Sequence, residues 1–169
     1  MIYLIAGTTH TGKTLLAQKI LTQKQIPYLS LDHLKMGLIR SGYTDLTVCD
    51  DEKLTEFLWP IVREMVKTAV ENHQNLTVEG CYIPHNWAAD FTPEYHEKIR
   101  AVWLVMTQEY IEKNFDQIRH YANAIEQRLD DSDLSRESLI RDNQQNLEQC
   151  RKYGCDYILI DGEYDLKWP

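Results

Sequence analysis

Short apolar runs alternate with longer stretches of helix-forming residues along the chain. Five such runs stand at residues 1–6, 26–31, 76–78, 99–106 and 157–161. A short apolar run bounded by turn residues is typical of a buried strand, and Gly7 and Asp32 close the first two runs. The pattern therefore predicts five strands.

Apolar residues recur at helical spacing between these runs. Residues 50–73 carry the longest such stripe, with an expected kink at Pro60. Residues 11–23 suit a helix that begins at a glycine loop, and residues 108–154 suit two helices separated by the polar segment 130–135. Strands that alternate with helices predict a parallel sheet with helices on both faces, a three-layer α/β sandwich. We expect any moving part to lie within residues 108–154.

The segment Gly7-Thr8-Thr9-His10-Thr11-Gly12-Lys13-Thr14 joins the first predicted strand to the first predicted helix. It fits the phosphate-binding loop pattern, in which two glycines bracket four residues and Lys and Thr follow. The glycines permit backbone angles that side chains forbid, so successive backbone N–H groups can surround a phosphate at the N-terminus of the helix. This context predicts a nucleoside triphosphate site.

Each residue of this loop receives a predicted role. Lys13 is expected to reach the β and γ phosphates of ATP and to be catalytic, while the Thr14 hydroxyl is expected to bind Mg²⁺. We assign no catalysis to His10, which occupies a variable position of the pattern. The loop residues predicted to bind the nucleotide are Gly7, Thr9, His10, Thr11, Gly12, Lys13 and Thr14.

Composition restricts the classes of function. The chain has 169 residues, enough for one domain over 1–169, and its net charge of −8 argues against a broad nucleic-acid-binding face. Its apolar runs are far shorter than the roughly 20 residues that cross a bilayer, and it starts without a secretory signal pattern. We therefore expect a soluble cytoplasmic protein with no membrane partner. Four cysteines without Cys-x-x-Cys spacing are expected to be reduced thiols.

The phosphate loop, the small size, the five predicted strands and a late arginine-bearing segment resemble the nucleoside-monophosphate-kinase-like group of P-loop kinases. This group includes adenylate, shikimate and gluconate kinases and zeta-toxin-like enzymes. The resemblance implies a P-loop NTPase fold with an acceptor-binding region after the second strand. It also implies an arginine-rich lid that closes over the ATP phosphates, here around residues 115–140.

Gln127-Arg128-Leu129-Asp130-Asp131 is similar to the Arg-x-Asp-Asp sequence at the end of the lid in adenylate-kinase-like enzymes. The resemblance implies that Arg128 is catalytic, because a guanidinium neutralises charge on the transferring phosphoryl group. Arg119 is the second candidate and is expected to bind ATP. Arg136 and Arg141 do not match the family's spacing.

The acceptor side departs from the adenylate pattern. Adenylate-type enzymes carry Asp-Gly-Phe-Pro-Arg after the third strand, whereas this chain has Glu79-Gly80-Cys81-Tyr82-Ile83-Pro84-His85, without the arginine. Ser30-Leu31-Asp32-His33 is instead similar to the strand-two exit of shikimate- and gluconate-kinase-like or zeta-toxin-like enzymes, in which an aspartate contacts the acceptor hydroxyl. Asp32 could orient that hydroxyl and accept its proton, or it could cap the following helix.

Other residues could complete an acceptor site. Arg40 or Lys35 could grip an anion from the helix after the second strand. Glu79 ends a strand at the carboxyl edge of the sheet, where it could hold a magnesium-bound water, contact the acceptor or cap the next turn. Four aromatic residues could line the pocket, although packing is the preferred interpretation: Tyr43, Trp59, Tyr82 and Trp87.

These observations predict a Mg²⁺-dependent kinase that transfers the γ-phosphoryl group of ATP to a hydroxyl-bearing or anionic metabolite. One alternative is a GTPase-type switch, against which stands the absence of an Asn-Lys-x-Asp base-reading motif. The other is a nucleotide-binding interaction module without catalysis. The sequence indicates neither the acceptor nor the oligomeric state.

Overall fold

The computed structural model describes residues 1–121 and 134–168. Within these residues, five parallel strands form one sheet in the order β2-β3-β1-β4-β5. Their bounds are β1 Ile2–Gly7, β2 Tyr28–Ser30, β3 Leu76–Glu79, β4 Ile99–Met106 and β5 Tyr157–Ile160. All five predicted strands are confirmed, and β2 is shorter than its apolar run because the following helix begins already at Leu31.

Six α-helices lie between the strands in the described part of the chain. Their bounds are α1 Lys13–Lys24, α2 Leu31–Arg40, α3 Asp51–Glu71, α4 Pro93–His96, α5 Gln108–Tyr121 and α6 Arg136–Tyr153. The stripe predicted over residues 50–73 forms the single helix α3, which includes Pro60 within it. A short 3₁₀ helix, Trp87–Asp90, precedes α4.

Side chains alternate between the two faces of the sheet, so each face packs against its own helices. On β1, Ile2 and Leu4 belong to a core with buried residues of α2, α3 and the C-terminal half of α6. Ile5 belongs to a second core with buried residues of α1 and α5. Trp103 and Leu104 of β4 divide between the same two cores. This arrangement confirms the three-layer α/β sandwich.

The parallel register brings the carboxyl ends of the central strands to one edge. Ile5 of β1 pairs with Glu79 of β3, and Gly7 of β1 pairs with Leu104 of β4. Asn143 fixes α6 to the same edge, because its Oδ1 accepts a hydrogen bond from the backbone N–H of Met106 at 2.8 Å. In doubly wound folds ligands bind outside this edge, where the direction of strand order reverses.

The described structure bears on two expectations from composition. None of the helices in residues 1–121 and 134–168 combines the length and apolar character that a membrane crossing requires. The four cysteines are free thiols, of which Cys150 is buried and Cys49 and Cys81 are exposed.

Candidate active site

A cavity of about 1050 Å³ lies at the carboxyl edge of the sheet. The phosphate loop forms one of its walls, the region around the start of α2 and α3 forms the second, and one face of α6 forms the third. Its volume is at the upper end of the range usual for small-molecule sites. The loop and the predicted acceptor residue Asp32 therefore line one space.

The two glycines that bracket the loop adopt backbone angles that favour glycine. Gly7 has φ 142° and Gly12 has φ 86°. A Cβ atom on Gly7 would lie 2.7 Å from the carbonyl oxygen of Leu104 on the neighbouring strand, closer than real Cβ atoms approach. The loop can therefore follow this path only with glycine at its start, as the sequence pattern predicts.

Lys13 is the first residue of α1 and is only 6% exposed. Its Nζ donates a hydrogen bond to the backbone carbonyl of Thr8 at 2.7 Å, and the Thr11 hydroxyl donates to the same carbonyl at 2.9 Å. The lysine is thus folded back along its own loop at the N-terminus of α1. Thr9, His10 and Thr14 also line the cavity, and so do Gly7 and Gly12.

The segment after β5 covers the outside of the loop. The Tyr164 hydroxyl donates a hydrogen bond to the backbone carbonyl of Thr11 at 3.0 Å. A Cβ atom on Gly12 would overlap this hydroxyl, so the second glycine of the loop also makes room for the tyrosine. Burial raises the pKa of Tyr164, and Tyr110, whose ring stacks at 6.4 Å, adds to the effect. The hydroxyl therefore stays protonated and able to donate at neutral pH.

Opposite the loop lies a polar group that we call the acceptor end, defined as Asp32, Lys35, Asp51 and Tyr82. All four residues line the cavity. Lys35 Nζ lies 2.6 Å from Asp32 Oδ1 and donates a hydrogen bond to the Tyr82 hydroxyl at 3.0 Å. The Tyr82 hydroxyl in turn donates to Asp51 Oδ1 at 3.2 Å. Residues from α2, α3 and the loop after β3 are therefore connected by one hydrogen-bonded chain.

The structure bears on the capping interpretation of Asp32, while its acceptor role stays a prediction. The N-cap position of α2 is occupied by Ser30, and Asp32 lies inside the first turn of the helix. Asp32 is therefore not the N-cap that the sequence allowed, because the helix begins two residues earlier than expected. Glu79 is 1% exposed and lines the cavity between the loop and the acceptor end.

The third wall is built on one face of α6. Asp142, Gln145, Asn146 and Gln149 share this face because their spacing follows the helical repeat. His85, from the loop after β3, lies with its Nε2 2.8 Å from Asn146 Oδ1, and its ring stacks on Trp103 at 5.3 Å. Burial lowers the pKa of His85, and the hydrogen bond to Asn146 opposes this shift only in part.

Two arginines expected in the site, Arg40 and Arg119, do not line the cavity. Arg40 is exposed at the last position of α2, and Arg119 is exposed in the last turn of α5; neither lines the cavity. Arg136 and Arg141 line a separate cavity between α5 and α6. Arg128 and the centre of the predicted lid fall on residues 122–133, outside the described residues. The roles of Arg40, Arg119 and Arg128 stay predictions.

Tyr164, Asp51 and His85 are among the lining residues that the sequence analysis missed. Tyr164 follows the carboxyl end of a parallel strand, and that position could have indicated a place at the same edge. Asp51 lies in the first turn of a helix, which is usual for an exposed acidic residue and indicates no site. His85 is brought to the cavity by the path of a long loop, for which the sequence contains no signal.

Two of the four aromatic candidates pack in the core, as the preferred interpretation predicts. Trp59 of α3 and Trp87 of the 3₁₀ helix are buried in the core that also contains Ile2 and Leu4, and Tyr43 is 78% exposed. Trp59 also donates from Nε1 to Asp90 Oδ2 at 2.7 Å. Among the four candidates only Tyr82 lines the cavity.

Comparison with known proteins identifies the class of fold. The chain is similar to a deoxyadenosine kinase from M. mycoides, solved with dCMP and a flexible dCDP bound, with a TM-score of 0.56, 13% identity and coverage of 98% of this chain and 92% of that chain. It is also similar to a shikimate kinase from Bacteroides thetaiotaomicron, with a TM-score of 0.56, 18% identity and coverage of 99% and 90%. No family model matches the sequence, and no curated protein matches it.

At these identities the likeness establishes the fold alone. The parallel five-stranded sheet, the glycine-bracketed loop after β1 and the two solved structures define a P-loop kinase fold of the nucleoside-monophosphate-kinase-like type. The fold that the sequence resemblance implied is confirmed.

Proposed function

We propose that the chain is a phosphotransferase that moves the γ-phosphoryl group of ATP to a hydroxyl group of a small molecule, with Mg²⁺ as cofactor. The observation that carries the proposal is the meeting of the phosphate loop, Asp32 and Glu79 in one cavity of about 1050 Å³. The two kinases of similar fold support the reaction type, because deoxyadenosine and shikimate are both small molecules.

The loop supplies the groups that a triphosphate needs. Its backbone N–H groups stand at the N-terminus of α1, and Lys13 carries a positive charge to the same place. Nucleotide would draw Lys13 Nζ away from the Thr8 carbonyl toward the β and γ phosphates. Charge on the transferring group would then be neutralised without solvent rearrangement.

The residues present fit a magnesium ion. The Thr14 hydroxyl and the Glu79 carboxylate both line the cavity, and oxygen donors of these kinds suit Mg²⁺ when phosphate oxygens and water complete its shell. Thr14 would bind the ion directly, and Glu79 would hold it through water. Bound there, the ion would neutralise charge on the β and γ phosphates.

Asp32 would prepare the acceptor for attack. Its carboxylate would accept a hydrogen bond from the acceptor hydroxyl and take the proton as the hydroxyl oxygen forms a bond to the γ-phosphorus. The bond from that phosphorus to the β,γ-bridging oxygen would break, and ADP would leave with the electron pair. Lys35, 2.6 Å from Asp32 Oδ1, would fix the orientation of this carboxylate toward the acceptor.

The proposal is tested by following the γ-phosphate. Purified protein is incubated with γ-labelled ATP, Mg²⁺ and a broad panel of hydroxyl compounds, and label is measured in products other than inorganic phosphate. We expect transfer to at least one compound, a rate lowered by about 10²–10³-fold or more in Lys13→Ala, and full activity from Lys24→Ala, which alters another lysine of α1, outside the cavity.

Other results would favour the alternatives. Tight ATP binding without transfer to any compound would indicate a nucleotide-binding interaction module. A marked preference for GTP in separate calorimetric titrations would indicate a GTPase-type switch.

A further inference from the structure

Lys35, the lysine of the acceptor end, already contacts other protein groups. Lys35 has a side chain only 12% exposed, and its Nζ contacts Asp32 Oδ1 at 2.6 Å and the Tyr82 hydroxyl at 3.0 Å. The same nitrogen lies 5.1 Å above the centre of the Tyr82 ring. Two of the three N–H donors of the ammonium group are thus directed at protein oxygens, and its charge is balanced within the protein.

Tyr82 extends this network to a second carboxylate. Its hydroxyl donates to Asp51 Oδ1 at 3.2 Å while its oxygen accepts from Lys35. Burial and the charge of Asp51 raise the pKa of Tyr82, so the phenol stays neutral. The acceptor end therefore presents two carboxylates against one ammonium group and has a net negative charge.

The other described lining residues do not make the net charge of the cavity positive. Among its lining residues in 1–121 and 134–168, the other lysine or arginine is Lys13, which lies in the phosphate loop. Glu79 and Asp142 add two further carboxylates. Arg40, which could have gripped an anion, lies outside the lining.

We propose that the acceptor is a hydroxyl-rich compound without negative charge, either uncharged or carrying an amine; this inference rests on the proposed kinase function. Hydroxyl and ammonium groups are donors, which Asp32 and Asp51 can accept. A phosphate or carboxylate would instead face two carboxylates, and it could reach Lys35 only by displacing Asp32. The sequence allowed either a hydroxyl-bearing or an anionic metabolite as acceptor, and the proposal excludes the anionic one.

The test compares acceptors that share a skeleton and differ in charge. One set is glucose, glucosamine, gluconate and glucose 6-phosphate, and a second set is adenosine and AMP. Transfer from γ-labelled ATP is measured for each compound as kcat/KM. In any set with a member that is phosphorylated, we expect kcat/KM for the uncharged or amine-bearing member to exceed kcat/KM for its anionic relative by tenfold or more.

Two variants test whether Asp51 contributes to this discrimination. Asp51→Asn removes one negative charge from the acceptor end and should reduce the ratio between neutral and anionic members several-fold. Glu56→Gln removes the same charge from an exposed position of α3 outside the cavity and should leave the ratio unchanged. Thermal denaturation of both variants verifies that they are folded.

The possible failures are distinguishable. A higher kcat/KM for the phosphate or carboxylate member of a set would overturn the inference and leave the kinase function standing. An unchanged ratio in Asp51→Asn would likewise overturn it. Transfer to no member of either set and to no compound of the broad panel, by protein that binds ATP, would overturn the kinase function and the inference with it.

Discussion

The phosphate-loop end and the acceptor end of the cavity are built in different ways. Eight consecutive residues, Gly7 to Thr14, form the loop, and its internal hydrogen bonds from Lys13 and Thr11 to Thr8 span five and three residues. The acceptor end joins Tyr82 to Lys35 and to Asp51 across 47 and 31 residues. One end is local in sequence, and the other is assembled by the fold.

This difference explains why a pattern reveals one end and not the other. Phosphate is bound by backbone N–H groups and a helix N-terminus, whose geometry requires glycines at fixed spacing. Binding an acceptor requires side chains matched to its shape and charge, which any element near the sheet edge can supply. The loop therefore identifies the nucleotide site, while the acceptor has to be inferred from the assembled network.

The largest effect is expected at the local end. Lys13→Ala should lower kcat for transfer by about 10²–10³-fold or more, since it removes a charge directed at the transferring group. The Tm should remain near that of the wild type, because the hydrogen bond from Lys13 Nζ to the Thr8 carbonyl lies within the loop itself. The rate and the Tm are measured on one preparation. Unchanged activity would remove the loop from the mechanism.

Asp32→Asn tests the assembled end. If the carboxylate takes the acceptor proton, kcat should fall roughly 10²-fold. Stability should change little, because Asp32 is not the N-cap of α2 and its side chain is 36% exposed, so solvent screens its charge.

Glu137→Gln is the matched control for Asp32→Asn. Glu137 is an acidic residue in the first turn of α6, so its substitution reproduces the loss of charge near a helix N-terminus outside the main cavity. A fully active Asp32→Asn protein would leave Glu79 as the remaining carboxylate candidate.

Tyr164→Phe tests whether the loop is purely local. Loss of the hydrogen bond to Thr11, worth about 1 kcal/mol, should raise the KM for ATP about fivefold and leave kcat nearly unchanged. Because the pKa of Tyr164 is raised, the effect should be constant between about pH 6 and pH 9. Tyr157→Phe, on partly exposed β5, is the control. An unchanged KM would mean that the loop needs no support from outside.

The smallest effect concerns His85. Its lowered pKa means that, below the ordinary histidine value near 6.5, the unfolded chain takes up a proton that the folded chain does not. Stability should therefore fall as pH is lowered. The wild type should have a larger free energy of unfolding than His85→Gln, and this difference should be smaller at about pH 5.5 than at about pH 7.5. The decrease in the difference should be less than about 1.4 kcal/mol.

Chemical denaturation at both pH values measures this difference. His33→Gln, at an exposed position of α2, is the matched control. A difference of the opposite sign would show that protonation of His85 stabilises the folded chain. That result would contradict the buried environment of His85.

The sequence predicts the elements and the loop because their signals are local. The apolar runs become strands and the glycines mark Gly7 to Thr14, where conformation depends on neighbouring residues. Asp32 was a candidate because of the family resemblance. Whether it is also the N-cap of α2 depended on where α2 begins, and no sequence pattern determined that position. Asp51 and His85 entered the site through tertiary packing, and nothing in their sequence neighbourhoods distinguishes them from ordinary surface or loop residues.

Tyr164 links the phosphate loop to a residue 153 positions away from Thr11. The shape of the loop is therefore a property of the folded chain, not only of its eight residues. A loop held before nucleotide arrives has fewer conformations to lose on binding, so preorganisation lowers the entropic cost of capturing ATP. A fragment consisting of β1, the loop and α1 would carry the complete motif and still bind phosphate weakly.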